Sequence, residues 1–200
     1  MTIISDDVYV YSVKNFSALN EAGEEFDARE FDSCTFTECD FTNAIFSKCR
    51  FIDCHFMRCN LSNVKLPFCK FSDVAFDECK LVGVDWTRID WSRYVLSSPV
   101  QFRKCVLNDS SFFGLNLEQL LMEECKAHDV DFREANLSES NFNYTDFTNS
   151  MFSNTNLAAA DFAEAVGYNI DLNFNDIRRA KFSRHEAVRL LESLDIELLD

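Results

Sequence analysis

The sequence has few of the residues on which most enzymes and membrane proteins rely. Its 200 residues include 4 glycines, 2 prolines and 3 histidines. The glycines are too few for phosphate-binding loops. His55 and His128 fall at different outward positions of the internal repeat described below, and His185 falls in a predicted C-terminal helix, so they form no general-base group. No run of 18 apolar residues is present, as a membrane span would require. We therefore predict a protein that is not an enzyme, with no catalytic residues and no cofactor.

Basic residues are also scarce. Lysine and arginine total 19 against 34 acidic residues, which gives a formal net charge of -15. Such a charge opposes direct binding to nucleic acid or to an anionic membrane, and it favours a basic partner or a site built for a polyanion. Residues 1–7 lack the basic start of a signal peptide. We expect a cytoplasmic protein.

Large apolar residues recur every five positions along most of the chain. The series runs from Phe26 to Leu96, takes one six-residue step to Phe102, and continues to Phe182. Seventeen of the 21 phenylalanines lie on it. A five-residue period matches neither an α-helix nor a β-strand, so it indicates an internal repeat. We call the positions of this series centre positions.

A second column of compact residues lies two positions before the centres. It contains all nine cysteines, namely Cys34, Cys39, Cys49, Cys54, Cys59, Cys69, Cys79, Cys105 and Cys125. We call these the small positions. A buried thiol packs as a small apolar group, and a reducing cytosol argues against disulfides. Without a Cys-x-x-Cys pair or histidine and carboxylate companions, the column also predicts no metal site.

The alternation of bulky and compact inward residues, with three outward residues per repeat, resembles the pentapeptide-repeat proteins. This resemblance implies an all-β fold, a right-handed quadrilateral parallel β-helix with a short C-terminal capping α-helix. Four pentapeptides would form one coil, so residues 20 apart would stack. About 8 coils spaced by about 4.8 Å would give a rod of about 38 Å.

We expect a single domain over residues 1–200, with an irregular N-terminal cap over 1–25 and repeats over 26–182. The six-residue step predicts a one-residue insertion at 97–101, where Pro99 lacks an amide donor and suits a bulge. This insertion is either a tolerated corner or a kink that re-aims the outer faces.

The C-terminal segment 183–200 predicts a helix followed by an apolar tail. Residues 183–186 read as a capping box, and the leucines that follow have helical spacing. The tail either folds back on its own coil or forms an end-to-end dimer.

Acidic residues concentrate on one predicted face of the rod, where they outnumber the basic ones. The partner-binding candidates on this face are Asp53, Asp73, Asp90, Asp131, Glu134 and Asp171. The surface either keeps the rod soluble or presents regularly spaced carboxylates to a groove built for duplex DNA.

Segments 102–110, 175–183 and 190–198 resemble the gyrase-interacting group of this family more closely, in particular the albicidin-resistance proteins. The group also includes the quinolone-resistance proteins and the mycobacterial fluoroquinolone-resistance protein. The resemblance implies a homodimer, joined through its C-terminal ends, that binds DNA gyrase as a DNA mimic and protects it from a poison. The implied dimer contacts are Leu190, Leu191, Leu194, Ile196 and Leu198.

Quinolone protection is the weaker expectation, because the repeats show no insertion long enough for a projecting loop. Two other roles remain open. One is a non-catalytic scaffold for another basic protein, and the other is a gyrase inhibitor without a role in resistance.

Overall fold

The computed structural model describes residues 4, 5, 7–91, 98–194 and 196. Over these residues the chain winds into a parallel β-solenoid of about eight turns. Strand pairing joins residues 20 apart, as with Phe31, Phe51 and Phe71. Four pentapeptides therefore form one coil, and the predicted fold class is confirmed. No helix in the described part of the chain has the length and hydrophobicity needed to cross a bilayer.

Short parallel strands mark the coils. Their bounds are β1 (Val10–Ser12), β2 (Asn15–Ser17), β3 (Glu25–Asp27), β4 (Glu30–Asp32), β5 (Thr35–Thr37), β6 (Ile45–Ser47), β7 (Arg50–Ile52), β8 (His55–Met57), β9 (Lys70–Ser72), β10 (Val74–Asp77), β11 (Val100–Arg103), β12 (Leu121–Glu123), β13 (Asp161–Phe162) and β14 (Lys181–Phe182). They form a four-stranded sheet β1-β4-β7-β9, a six-stranded sheet β12-β11-β10-β8-β5-β2, and the pairs β3-β6 and β13-β14.

The solenoid has four faces, which we number in chain order. Face 1 passes through Glu30, Arg50 and Lys70, face 2 through Thr35, His55 and Ala75, face 3 through Asp40, Asn60 and Lys80, and face 4 through Glu25, Ile45 and Lys65. In the C-terminal half most of the pairing reduces to isolated parallel bridges, such as Lys126 with Asp146. The 20-residue register is kept there except at the bridge between Phe152 and Ile170, which are 18 residues apart.

Aromatic rings at the centre positions fill the interior. On face 2 the rings of Phe36 and Phe56 stack with their centroids 4.5 Å apart. Rings on neighbouring faces meet edge-on, as Phe31 does with Phe36 at 5.4 Å. Both geometries are favourable for aromatic pairs. The centre positions therefore form a continuous dry core in which the small positions fill the remaining space.

Thiols and hydroxyls at the small positions also bond to the backbone of the preceding coil. The Cys59 thiol donates to the Phe36 carbonyl at 3.4 Å and accepts from the Cys39 amide at 3.4 Å. Serine and threonine take this role in the C-terminal half. All nine cysteines are buried and free. Because buried backbone groups need partners, the column favours compact side chains that can hydrogen-bond.

The repeat begins earlier than predicted. Tyr11 in β1 pairs with Phe31, and Phe16 in β2 pairs with Phe36. Both side chains are buried. Residues 10–25 therefore belong to the first coil, and the prediction of an irregular cap over 1–25 is wrong. Glu21 occupies a centre position on the open first coil, where the interior is covered from one side only, and this polar residue interrupted the sequence pattern.

The interruption of the repeat is larger than the predicted one-residue insertion at 97–101. Val74 pairs with Val100 in β11, so this coil has 26 residues in place of 20. The Pro99 carbonyl already accepts the Val74 amide at 3.0 Å, so the extra residues precede Pro99. The six extra residues of this coil equal one pentapeptide plus one residue. The apolar spacing from Trp91 through Leu96 to Phe102 is therefore interrupted by only one residue in the sequence. Residues 92–97, with Leu96 among them, lie outside the described residues.

The C-terminal helix is present, but it is a 3-10 helix over Ala187–Leu194. The predicted capping box does not form. Ser183 bonds to the preceding coil, since its hydroxyl accepts from the Glu164 amide at 2.7 Å and donates to the Glu164 carboxylate at 2.9 Å. Glu186 likewise accepts from the Gly167 amide at 3.4 Å. These side chains anchor the helix to the last coil instead of initiating an α-helix.

Replacing Thr145 with valine tests the role of the small positions. The Thr145 hydroxyl donates to the Met122 carbonyl at 2.8 Å and accepts from the Cys125 amide at 3.2 Å. Thr145→Val keeps the side-chain shape but leaves both buried groups unpaired. We expect the free energy of unfolding in urea to fall by about 1–3 kcal/mol.

Ser140→Ala is the matched control. The Ser140 hydroxyl accepts from the Leu120 amide at 3.1 Å, but this amide also donates to the Leu117 carbonyl at 3.1 Å. Its loss therefore leaves the amide with a partner, and we expect a smaller destabilisation. Equal losses in the two variants would contradict this account.

The thiols should be unreactive in the folded protein. Burial shields all nine thiols from reagent, and it raises the pKa of the Cys54 thiol to about 12, so the Cys54 thiolate is scarce at pH 8. We expect a disulfide reagent such as DTNB to react no faster than the protein unfolds, and to react with all nine cysteines in denaturant. Rapid reaction of any thiol in the native protein would be evidence against this packing.

Candidate protein-interaction surface

The charged residues of the rod lie mainly at the outward positions of the pentapeptides, and several of them pair vertically between coils. Arg50 bonds to Glu30 at 2.8 Å, and Arg58 bonds to Glu38 at 3.1 Å. Both pairs join residues 20 apart. Exposed ion pairs of this kind contribute at most about 1 kcal/mol each to stability. Their larger effect is to neutralise part of the surface, so that the net charge resides on the carboxylates outside these pairs.

The six predicted partner-binding residues do not share one face. Asp53, Asp73 and Asp90 lie on face 1, whereas Asp131, Glu134 and Asp171 belong to face 4. The prediction of a single acidic face is therefore wrong. It assumed that the chain lost no corner at the insertion, but the 26-residue coil moves every later pentapeptide by one face.

On face 1, Asp53 and Asp73 lie one above the other at the corner that follows the strands. Both have the positive φ of a corner residue, 50° and 54°. Neither carboxylate forms an ion pair among the described residues, while Asp90 pairs with Lys70 at 3.2 Å. The corner therefore presents two stacked carboxylates that no neighbouring cation in the described structure neutralises.

The row of charge on face 1 ends at the 26-residue coil. Beyond it the same face continues as a ladder of asparagines. The Asn136 amide donates to the Asn116 side-chain oxygen at 2.6 Å, and Asn156 donates to Asn136 at 2.7 Å. The stacked position that carries Glu30, Arg50 and Lys70 in the N-terminal half of face 1 thus carries asparagines in this stretch of its C-terminal half.

On face 4, one of the three predicted acids is neutralised. The Arg133 guanidinium bonds to both Asp131 oxygens, at 2.9 and 2.8 Å, and these bonds hold the pKa of the Asp131 carboxyl below its usual value. Asp171 accepts the Asn173 amide at 2.8 Å. Glu134 occupies the corner between faces 4 and 1 and forms no ion pair among the described residues.

Sequence reasoning missed a further acidic pair, Asp109 and Asp129. They occupy the corner that follows face 3, with φ of 59° and 56°, and lie 20 residues apart. Their 20-residue spacing was the available signal. It also brings like charges together in adjacent coils, as Asp53 and Asp73 do on the other side of the rod.

Two histidines form carboxylate pairs on the outer surface. His55 bonds to Asp77 at 2.5 Å on face 2, and His128 bonds to Asp146 at 2.8 Å on face 3. Within the described residues no group of three potential metal ligands comes together.

The predicted dimer residues differ in how far they are exposed. Leu190 is only 7% exposed and packs against its own last coil, so it is not available to a partner in this conformation. Leu191 is half-buried. Leu194 and Ile196 are 42% and 52% exposed. Leu198 lies outside the described residues.

Leu190→Ala should destabilise the C-terminal cap. Truncating a buried leucine typically costs about 2–5 kcal/mol, whereas Leu194→Ala removes a largely exposed side chain and should cost well under that. Thermal unfolding and amide exchange of residues 160–182 provide the measurement. Similar stabilities of the two variants would contradict the packing of Leu190 under the last coil.

Comparison with protein-family models shows a match to the pentapeptide repeat region over residues 29–98 and 91–162. No curated protein sequence matches the chain significantly. No enzymatic family was found.

Solved structures share the fold. A trypsin-treated form of QnrB1, a plasmid-mediated fluoroquinolone resistance protein, has a TM-score of 0.60 at 18% identity and covers 96% of this chain and 100% of its own. A second trypsin-treated form gives 0.63 at 20% identity, over 92% and 100%. HetL, a pentapeptide repeat protein involved in heterocyst differentiation regulation in the cyanobacterium Nostoc sp. strain PCC 7120, gives 0.54 at 13% identity, over 84% of each chain.

Proposed function

This chain belongs to the pentapeptide repeat family, and we propose that it is a cytoplasmic, non-catalytic protein that binds DNA gyrase in place of duplex DNA. In this role it protects the enzyme from a topoisomerase poison such as albicidin or a quinolone. Its partner is a protein, and it does not bind nucleic acid or membranes itself.

The density of negative charge along the rod is the observation that carries this proposal. A net charge of -15 over about 38 Å gives about one negative charge per 2.5 Å of axis. Duplex DNA carries one per about 1.7 Å. The carboxylates are held by a rigid backbone ladder at a spacing of about 4.8 Å between coils. A protein groove lined with cations to hold DNA would therefore meet a comparable field on this rod.

The nature of the poison rests on resemblance. QnrB1 shares the fold and is a fluoroquinolone resistance protein. Segments 102–110, 175–183 and 190–198 support a closer relationship to the albicidin-resistance protein AlbG. The absence of an insertion long enough to project had favoured albicidin, but the 26-residue coil removes that reason. Both classes of drug therefore belong in the test.

A homodimer is part of the proposal, because a two-fold enzyme presents a two-fold groove. Leu194 and Ile196 are exposed beside the last coil and supply apolar contact area there. We assign the dimer contact to these two residues, with the half-buried Leu191 beside them. Leu190 supports the contact from beneath by fixing the helix.

The experiment measures DNA supercoiling by gyrase in the presence of albicidin or ciprofloxacin, over a range of concentrations of the protein. We expect rescue of supercoiling at low concentration and inhibition at high concentration, since a mimic competes with DNA. No effect in either direction would contradict the proposal and leave a scaffold for another basic protein. Inhibition without rescue would identify a gyrase inhibitor with no protective role.

Two double variants test which carboxylates act. Asp53→Asn with Asp73→Asn removes stacked carboxylates that have no ion pair among the described residues. Asp131→Asn with Asp176→Asn changes the net charge equally but removes acids already bonded to Arg133 and Arg178. We expect the first variant to need about ten times more protein for rescue, and the second to change little. Equal losses would assign binding to total charge.

A further inference from the structure

On face 4, the backbone hydrogen bonds are missing at one place between two adjacent coils, the coil that contains Leu66 and the coil that contains Trp86. We call this place the opening of the ladder. The Leu66 and Asp85 amides and the Val64 carbonyl form no hydrogen bond among the described residues. One coil further on the corresponding bonds are intact, since the Trp86 amide donates to the Ser111 carbonyl at 3.0 Å. The opening is therefore local to this pair of coils.

A 3-10 helix, Trp86–Arg88, accounts for the opening. It turns the Asp85 carbonyl towards the Arg88 amide at 3.5 Å, so that the Leu66 amide is left without this acceptor. The Trp86 indole stacks on Phe112 of the following coil, with centroids 5.6 Å apart. The flanking corner stays closed, because the Phe68 amide still donates to the Arg88 carbonyl at 2.9 Å.

The opening lies in a surface groove of about 840 Å³, which we call the face 4 groove. Buried Val64, Leu66 and Ile89 contribute apolar lining, and Phe68, which is 68% exposed, forms part of its wall. This volume lies within the range that small-molecule sites occupy, about 300–1,000 Å³.

The polar groups of the groove favour an anion despite the acidic surface. The Asp85 carboxylate is occupied, since it accepts from the Thr87 amide at 3.1 Å and from Arg88 at 3.0 Å. Asp90 pairs with Lys70. Lys65 lines the groove and forms no ion pair in the described part of the chain. Two unpaired amides and one ammonium group are therefore available to an acceptor.

We propose that the face 4 groove is a binding site for a small, planar, anionic aromatic molecule. The aromatic ring packs against Phe68 and the apolar lining. The anionic group accepts from the Leu66 and Asp85 amides and pairs with Lys65. These contacts give acceptors to the two amides that the opened ladder leaves without one, and they do not depend on gyrase binding.

The probe for this site is 8-anilino-1-naphthalenesulfonate, which combines an aromatic ring system with a sulfonate. Titration of the native protein, followed by fluorescence and calorimetry, should show saturable binding with one molecule per chain. In nitrogen-15 NMR spectra the amide signals of Leu66 and Asp85 should shift most. Absence of saturable binding, or shifts confined to other coils, would overturn the proposal.

Variants separate this groove from general apolar binding. Lys65→Gln and Phe68→Ala should each raise the dissociation constant about 5- to 10-fold, because one removes the charge and the other the ring contact. Phe113→Ala is the matched control, since Phe113 is also an exposed phenylalanine on face 4. It should leave binding unchanged. Circular dichroism confirms that each variant is folded, and an equal loss in Phe113→Ala would refute the site.

Discussion

Closure of backbone hydrogen bonds between residues 20 apart is the constraint on which the rest of the structure depends. Each coil can bond to the next only if four pentapeptides return the chain to the same face, as the pairing of Phe31 with Phe51 shows. This return requires a left-handed residue at nearly every corner, and 26 non-glycine residues in the described part of the chain accept a positive φ. The cost is distributed over many ladder bonds, so the backbone is regular although few glycines are present.

The interior follows from the same constraint. Stacked rings and small positions repeat at the coil spacing. This order is visible in the sequence because every centre position packs in the same kind of interior site and so favours the same kind of side chain. The repeat and its inward residues were therefore predictable from the five-residue period, and the β-helical fold was predictable from the resemblance that this repeat carries. The outer faces were not, because the apolar spacing in the sequence continues through Leu96 and gives no sign that the coil between Val74 and Val100 has 26 residues. The five-residue period identifies which residues point inward, but it does not show how many corners the chain makes across an insertion.

The ends and the surface show where other interactions compete with the repeat. Ser183 and Glu186 suit a capping box, yet they bond to the preceding coil, and the helix follows 3-10 geometry. Leu190 was predicted as a dimer contact but is needed beneath the last coil. On the outside, charge is free to vary, so the rod can carry stacked carboxylates at Asp53 and Asp73 without disturbing its core.

The central claim is that gyrase and this rod meet through the surface that gyrase uses for DNA. Equilibrium binding of the protein to gyrase, measured with increasing duplex DNA and at several salt concentrations, tests it most directly. We expect DNA to displace the protein competitively and the logarithm of the affinity to fall as the logarithm of the salt concentration rises. A ternary complex of gyrase, DNA and the protein, or an affinity independent of salt, would contradict it.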